Sequence, residues 1–196
     1  MSKIPLKNVT FTIPIKIDSK DREANLTILM DYLTKYFDTN VLVCETNQEL
    51  LKAFWKPAWP GFPLYLKTNK ALFHKTRLLN HMARVATTEI IVSYDCDILL
   101  PPQAYVEAAN KIHEGMLDFC YPFNKPIKFI KKPALALLRE KLDGDTLDSI
   151  STPQPNPDLP PGGCFFMNRK KFIEGGEGKR KHDFLGSGRR GTLSSI

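Results

Sequence analysis

Four times in its first 114 residues this chain follows a short apolar, β-branched run with a segment of helical spacing, and that alternation restricts the fold more than any single residue. Val9 to Ile17 places Val9, Phe11, Ile13, Ile15 and Ile17 on one strand face, and Ala24 to Phe37 repeats Leu26, Leu29, Met30 and Leu33 at helical intervals. Asp18-Ser19 supplies the loop and a cap between them. Asn40 breaks that helix, Val41 to Cys44 reads as a second strand ending at Glu45, and Asn47 to Phe54 as a short helix. After the irregular Trp55 to Gly61 come a third strand, Phe62 to Leu66, and a helix, His74 to Ala86, through Leu78, Leu79 and Met82. Ile90-Ile91-Val92 is the fourth strand, and Pro102 opens a helix to about Glu114, since proline suits a first helical turn. Such β-α repetition predicts an α/β fold, a mainly parallel sheet with helices on both faces.

In sheets of this kind ligands bind beyond the carboxyl ends of the strands. Asp95 and Asp97 follow the fourth strand there, and Lys16 and Glu45 end the first and second. A buried strand ends in two carboxylates only where something offsets their charge. At spacing i, i+2 both leave a regular strand on one face. That places them to share one divalent cation, whose other ligands would be phosphate oxygens and water. The pair alone equally fits two solvated loop carboxylates.

Bulk properties exclude other classes. Cys44, Cys96, Cys120 and Cys164 contain no C-x-x-C pair, so free buried thiols in a reducing cytosol are expected rather than zinc or thiol redox chemistry. No apolar run reaches the roughly 20 residues that span a bilayer. Met1 to Ile15 lacks a signal-peptide layout. The net charge is +7, but Lys179, Arg180, Lys181, Arg189 and Arg190 against Asp183 put +4 of it in the last 18 residues, leaving +3 on the other 178. No general basic footprint remains for nucleic acid.

The ordered set of motifs resembles a known family. Val9-Thr10-Phe11-Thr12-Ile13-Pro14 with Asp21-Arg22 and Asn25-Leu26 is similar to the opening of family 2 and related inverting glycosyltransferases of the GT-A fold. His74 to Asn80 and Ile90 to Pro101 resemble their helix and D-x-D strand. Pro161 to Arg169 and Phe172 to Gly176 resemble their later Gly-Gly strand and the segment before the catalytic acid. The match is strongest over residues 8–101 and 160–176.

The resemblance implies a single GT-A domain over residues 1–176 and transfer of a sugar, with inversion, from a nucleotide-sugar donor. A UDP-sugar is favoured, and the acceptor would be a saccharide or lipid-linked saccharide of cell-surface polysaccharide synthesis. Asp97 would bind Mn²⁺ or Mg²⁺ across the donor diphosphate, and Asp95 would hold the ribose or a metal-bound water, so both count as metal-site residues. Pro14, Ile15 and Lys16 would line the nucleotide pocket with Cys96 beside the acidic pair, Glu45 would lie near the base, and Lys75 or Arg77 would meet phosphate or sugar. Asn80 would brace their helix, and Gly162 and Gly163 would admit donor sugar or acceptor. Simpler readings stand beside these: Lys16 and Glu45 as solvated strand ends, Lys75 and Arg77 as a decorated helix face, Gly162-Gly163 as a turn, and His74, His81 and His113 as surface histidines. A cytoplasmic location follows, with peripheral contact at the inner membrane face left open.

The resemblance fails at the carboxyl end. Family members continue with an acidic stretch ending W-G-x-E-D, whose carboxylate acts as general base, whereas residues 177–196 are basic and rich in Gly and Ser. Back-translated with permitted codons and read one base later, Lys179 to Ser195 yields N-E-N-M-I-S-W-D-Q-E-D-E-E-R-F-R. The expectation is therefore a frameshifted tail on an incomplete catalytic domain, with donor binding retained and little transfer. A non-catalytic sugar-nucleotide-binding protein on the same fold is the alternative. Lys125 to Asp145 is expected to carry a helix, Ala134 to Leu142, and Ser151 to Pro161, with five prolines, an irregular loop.

Overall fold

The computed structural model describes residues 2–46, 50–67, 73–123, 128–153 and 163–178, apart from the side chains of residues 132, 144 and 145. In chain order the elements are β1 (Ile4–Ile15), α1 (Lys20–Tyr36), β2 (Phe37–Thr46), α2 (Leu51–Phe54), β3 (Phe62–Leu66), α3 (Lys75–Val85), β4 (Ile90–Tyr94), α4 (Pro102–His113) and β5 (Phe119–Cys120). There follow β6 (Lys128–Ile130), a 3₁₀ turn (Lys132–Ala134), α5 (Leu135–Lys141), α6 (Gly144–Ile150), β7 (Ser151–Pro153), β8 (Cys164–Asn168) and α7 (Arg169–Glu174).

Six strands form one sheet in the order β3-β2-β1-β4-β8-β5, and β6 pairs with β7 outside it. β1 to β4 run parallel; β8 is antiparallel to both β4 and β5. The alternation expected from sequence is present, with one reversed strand. Side chains alternate across the sheet and feed two cores. Phe11, Ile13, Val41, Val43, Val92, Tyr94 and Phe166 pack with Leu29 and Leu33 of α1 and with Tyr105 and Ala109 of α4. On the other face Leu42, Cys44, Ile91 and Met167 meet Leu78, Leu79, Met82 and Ala83 of α3. The four cysteines are buried free thiols, as expected.

Boundaries moved where tertiary pairing overrode the local pattern. β1 begins at Ile4 rather than Val9, because Ile4, Pro5 and Leu6 pair with Phe37, Asp38 and Thr39 before a register shift between Leu6 and Thr10. Asn40 ends no helix; it lies inside β2, and its amide donates to the carbonyls of Lys7 and Val9 at 3.0 and 3.2 Å. α1 starts at Lys20, where the Ser19 hydroxyl accepts the Arg22 N–H at 3.2 Å, an N-cap that satisfies one orphan donor. The expected proline loop is a strand over Ser151–Pro153, and its remainder lies outside the described residues. No helix among the described residues is long and apolar enough to cross a membrane.

Candidate active site

Parallel register brings the ends of β1, β2 and β4 to one edge. Pro14 lies opposite Cys44 and Ile15 opposite Glu45. Pro14 and Ile15 are buried, and Lys16, just past β1, is half-buried. β4 stops at Tyr94, one residue before the acidic pair. The same-face expectation for Asp95 and Asp97 therefore fails, because residues 96 and 97 form a turn instead of continuing the strand. Asp95 is half-buried on the α3 side, Cys96 is buried, and Asp97 projects into solvent.

Asp95 is held at two points. Its N–H donates to the Gly163 carbonyl at 2.5 Å, and its carboxylate meets the Lys75 ammonium at 2.5 Å. Gly163 adopts φ +91°, and a Cβ there would collide with Ile98 Cδ1 and sit 3.1 Å from Asp95 Oδ2. Asp97, by contrast, makes no ion pair or hydrogen bond to a described residue, so its carboxylate is open.

The two basic candidates separate. Lys75 opens α3 and reaches Asp95, whereas Arg77 is exposed, two residues on and so on another side of the helix. Asn80 braces more than its own helix. Its side-chain amide donates to the Gly178 carbonyl and accepts the Gly178 N–H, both at 3.1 Å, tying the segment after α7 to α3. The Arg84–Glu177 ion pair at 2.5 Å reinforces this tie.

Glu45 is not a solvated strand end. It is fully buried, and its Oε2 accepts the Leu51 N–H at 3.1 Å, so it caps the first turn of α2. His113 is exposed and pairs with Glu89 at 2.7 Å, and His81 is half-buried. His74 departs from a surface role: its Nε2 is enclosed with no hydrogen-bond partner among the described residues. Gly162 lies outside the described residues.

Burial pushes the Cys96 thiol up to about 12, with the Asp97 carboxylate adding to the rise. Cys96 is therefore a protonated packing residue beneath the loop rather than a nucleophile. Sequence reasoning missed Tyr32, Tyr94 and Tyr105, which lie under the same loop. Only the position of Tyr94 directly before the acidic pair, and of Tyr105 one turn into α4, hinted at them.

No family model and no curated protein matches this chain. Solved structures do. A mannosyltransferase, PcManGT from Pyrobaculum calidifontis, in complex with GDP-Man and Mn²⁺, superposes with TM-score 0.54 at 18% identity, over 87% of this chain and 47% of that one. TarS from S. aureus in complex with UDP-GlcNAc superposes with TM-score 0.52 at 15% identity, over 87% of this chain and 48% of that one. The chain has a GT-A-like fold. It spans about half the length of these structures.

On this GT-A-like frame the donor set suits a hard divalent cation. Asp95 and Asp97 offer carboxylate oxygens only, and no group of three or more His, Cys, Asp or Glu side chains is assembled among the described residues. Mg²⁺ and Mn²⁺ are commonly bound by one or two carboxylates, with substrate phosphates and water completing the shell. The open Asp97 carboxylate and the Lys75-neutralised Asp95 fit that division of ligands.

Proposed function

We propose that this chain binds a nucleoside-diphosphate sugar through Mn²⁺ or Mg²⁺ at Asp97 and Asp95, as the donor half of an inverting glycosyltransferase. The observation that carries the reading is the acidic turn after β4, with one carboxylate open to solvent and the other neutralised by Lys75, at the strand-end edge of a GT-A-like sheet. The cation, when bound, supplies Lewis-acid stabilisation of the departing diphosphate. Asp97 would contribute its free carboxylate to that ion. Lys75 offsets the charge of Asp95 in the free chain and would meet a phosphate oxygen once a cation took over that role. Gly163 keeps the wall beside Asp95 free of a side chain. Pro14, Ile15 and Lys16, at the end of β1, would line the nucleotide side of the site. Glu45, buried at the end of β2 with its Oε2 on the Leu51 N–H, would lie near the base. A UDP-sugar is the favoured donor, a saccharide or lipid-linked saccharide the acceptor, and no general base is assigned among the described residues.

Calorimetric titration of UDP and of GDP, each with Mn²⁺ and again with EDTA, tests the reading. The expected result is UDP binding that requires Mn²⁺ and is lost in Asp97→Ala. Binding indifferent to EDTA and to Asp97→Ala, or no binding by the folded chain, refutes it.

A further inference from the structure

We propose that Tyr94, Tyr105 and Tyr32 are positioning residues for Asp97: their hydroxyls hold the backbone of the acidic turn and so set where the Asp97 carboxylate meets a cation. The proposal rests on the donor-site reading above. Asp97 has no bond of its own to a described residue, so its place is inherited from the backbone between Asp95 and Pro101. That backbone is neither helix nor strand, and three of its polar groups turn inward to phenols. The Tyr94 hydroxyl donates to the Ile98 carbonyl at 2.9 Å, the Leu100 N–H donates to the Tyr105 hydroxyl at 2.9 Å, and the Tyr32 hydroxyl donates to the Leu100 carbonyl at 2.7 Å. Tyr94 and Tyr105 are also hydrogen-bonded to each other.

Counting protons gives this set one direction. The single Tyr94 proton goes to Ile98, so the proton between the two phenols belongs to Tyr105. A continuous chain then runs from Leu100 N–H through Tyr105 and Tyr94 to the Ile98 carbonyl, beginning and ending on the turn it supports. All three tyrosines are fully buried, and their rings already pack well: Phe11 lies 5.7 Å from Tyr94 and 5.9 Å from Tyr105, and Phe37 lies 5.3 Å from Tyr105. Phenylalanine would serve that packing as well, without the cost of burying a hydroxyl. What the hydroxyls add is attachment of the turn to β4, α4 and α1. A metal site needs its ligands held by such a supporting shell.

Tyr105→Phe removes the middle of the chain and Tyr32→Phe an independent anchor, each with its ring retained. Tyr36→Phe is the matched control, because it deletes a 2.9 Å bond from α1 to the Leu142 carbonyl, away from the turn. Two readouts are taken on each variant: exchange of the Leu100 amide in the metal-free chain, and Mn²⁺ affinity at saturating UDP by electron paramagnetic resonance. Tyr105→Phe is expected to accelerate Leu100 exchange and to weaken Mn²⁺ binding by about tenfold, Tyr32→Phe to act in the same direction by about threefold, and Tyr36→Phe to change neither. Unchanged Leu100 exchange, or faster exchange with unaltered Mn²⁺ affinity, overturns the proposal while leaving the donor site standing. A parent chain that binds no Mn²⁺ with UDP refutes the donor-site reading and this proposal together.

Discussion

Gly163→Ala tests how tightly the wall beside Asp95 is built, because a second glycine separates the two contributions to its effect. Gly163 has φ +91° and Gly115 has φ +72°, so alanine is strained at both. A left-handed backbone costs an L-residue about 1–2 kcal/mol, offset in part by the about 0.4–1 kcal/mol that alanine removes from unfolded-chain entropy. At Gly115 nothing lies within 4 Å of the added Cβ, so that net loss, about 0.5–1 kcal/mol, is the whole effect. At Gly163 the new methyl strikes Ile98 Cδ1 and lies 3.1 Å from Asp95 Oδ2 and 3.3 Å from Asp95 Cβ. Displacing Ile98 from its rotamer adds about 0.5–1.5 kcal/mol. The expected loss at Gly163 is therefore about 1–2.5 kcal/mol. Asp95 must also shift by a few tenths of an ångström, which loosens its contact with Lys75.

Urea unfolding of both variants and the parent measures the difference, read as midpoint shifts at constant slope. Gly163→Ala is expected to fall below Gly115→Ala by about 1 kcal/mol and to weaken Mn²⁺-dependent UDP binding, while Gly115→Ala leaves binding unchanged. Equal losses within about 0.3 kcal/mol, with equal binding, would refute the tight approach of Gly163 to Asp95.

Lys75→Met should cost under about 1 kcal/mol, because the side chains of its ion pair with Asp95 are 40% and 36% exposed, yet it should weaken UDP binding clearly in calorimetry. Arg77→Ala should leave both stability and UDP affinity within about twofold, since the side chain points into solvent away from Asp95; a loss equal to that of Lys75→Met would contradict this division. Asn80→Ala deletes both bonds to Gly178, and faster amide exchange confined to residues 175–178 and the start of α3 is expected. Burial raises the Cys44, Cys96 and Cys120 thiols from the ordinary 9.0 to about 12, 12 and 11. These raised values favour the protonated folded form, so their contribution to stability is fully present below pH 9 and is lost as pH rises toward 11–12. A urea midpoint unchanged between pH 8 and pH 11 would refute that burial, as would rapid thiol labelling of the folded chain at pH 8.

What was legible in the sequence follows from how local each determinant is. Hydrophobic period two and period 3.6 depend on near neighbours, so β3 was read to the residue and α3 and α4 to within one. Lys75 and Asp95 could be named as candidates for the same reason, from their places at a helix start and a strand end. Their ion pair, and the choice of Lys75 over Arg77, required the packing angle of α3 on the sheet, which no spacing encodes. Strand geometry misled at Asp97 because a period holds only while the strand lasts, and β4 ends one residue too soon. Glu45 shows the opposite case: of its two readings, a base-side residue and a solvated strand end, burial and the bond from the Leu51 N–H remove the second.

The tyrosines show the deeper limit. Tyr32, Tyr94 and Tyr105 each occupy an apolar position of a regular pattern, where an aromatic ring needs no further explanation. Their hydroxyls converge only after α1, α4 and β4 have packed, from positions 62 and 11 residues apart along the chain. An open carboxylate such as Asp97 therefore takes its position from groups that share no motif with it, and the D-x-D motif specifies the ligands without specifying their aim. If the phenol chain sets that aim, an Asp97 in the same D-x-D motif but without phenols at 94 and 105 should bind Mn²⁺ weakly. The Tyr94→Phe/Tyr105→Phe double variant makes that comparison directly: it removes the Leu100, Ile98 and inter-phenol bonds together, so it should weaken Mn²⁺ more than Tyr105→Phe alone but by less than the sum of the two single losses, because the inter-phenol bond is lost in both, whereas strictly additive losses would mean that the two hydroxyls act independently.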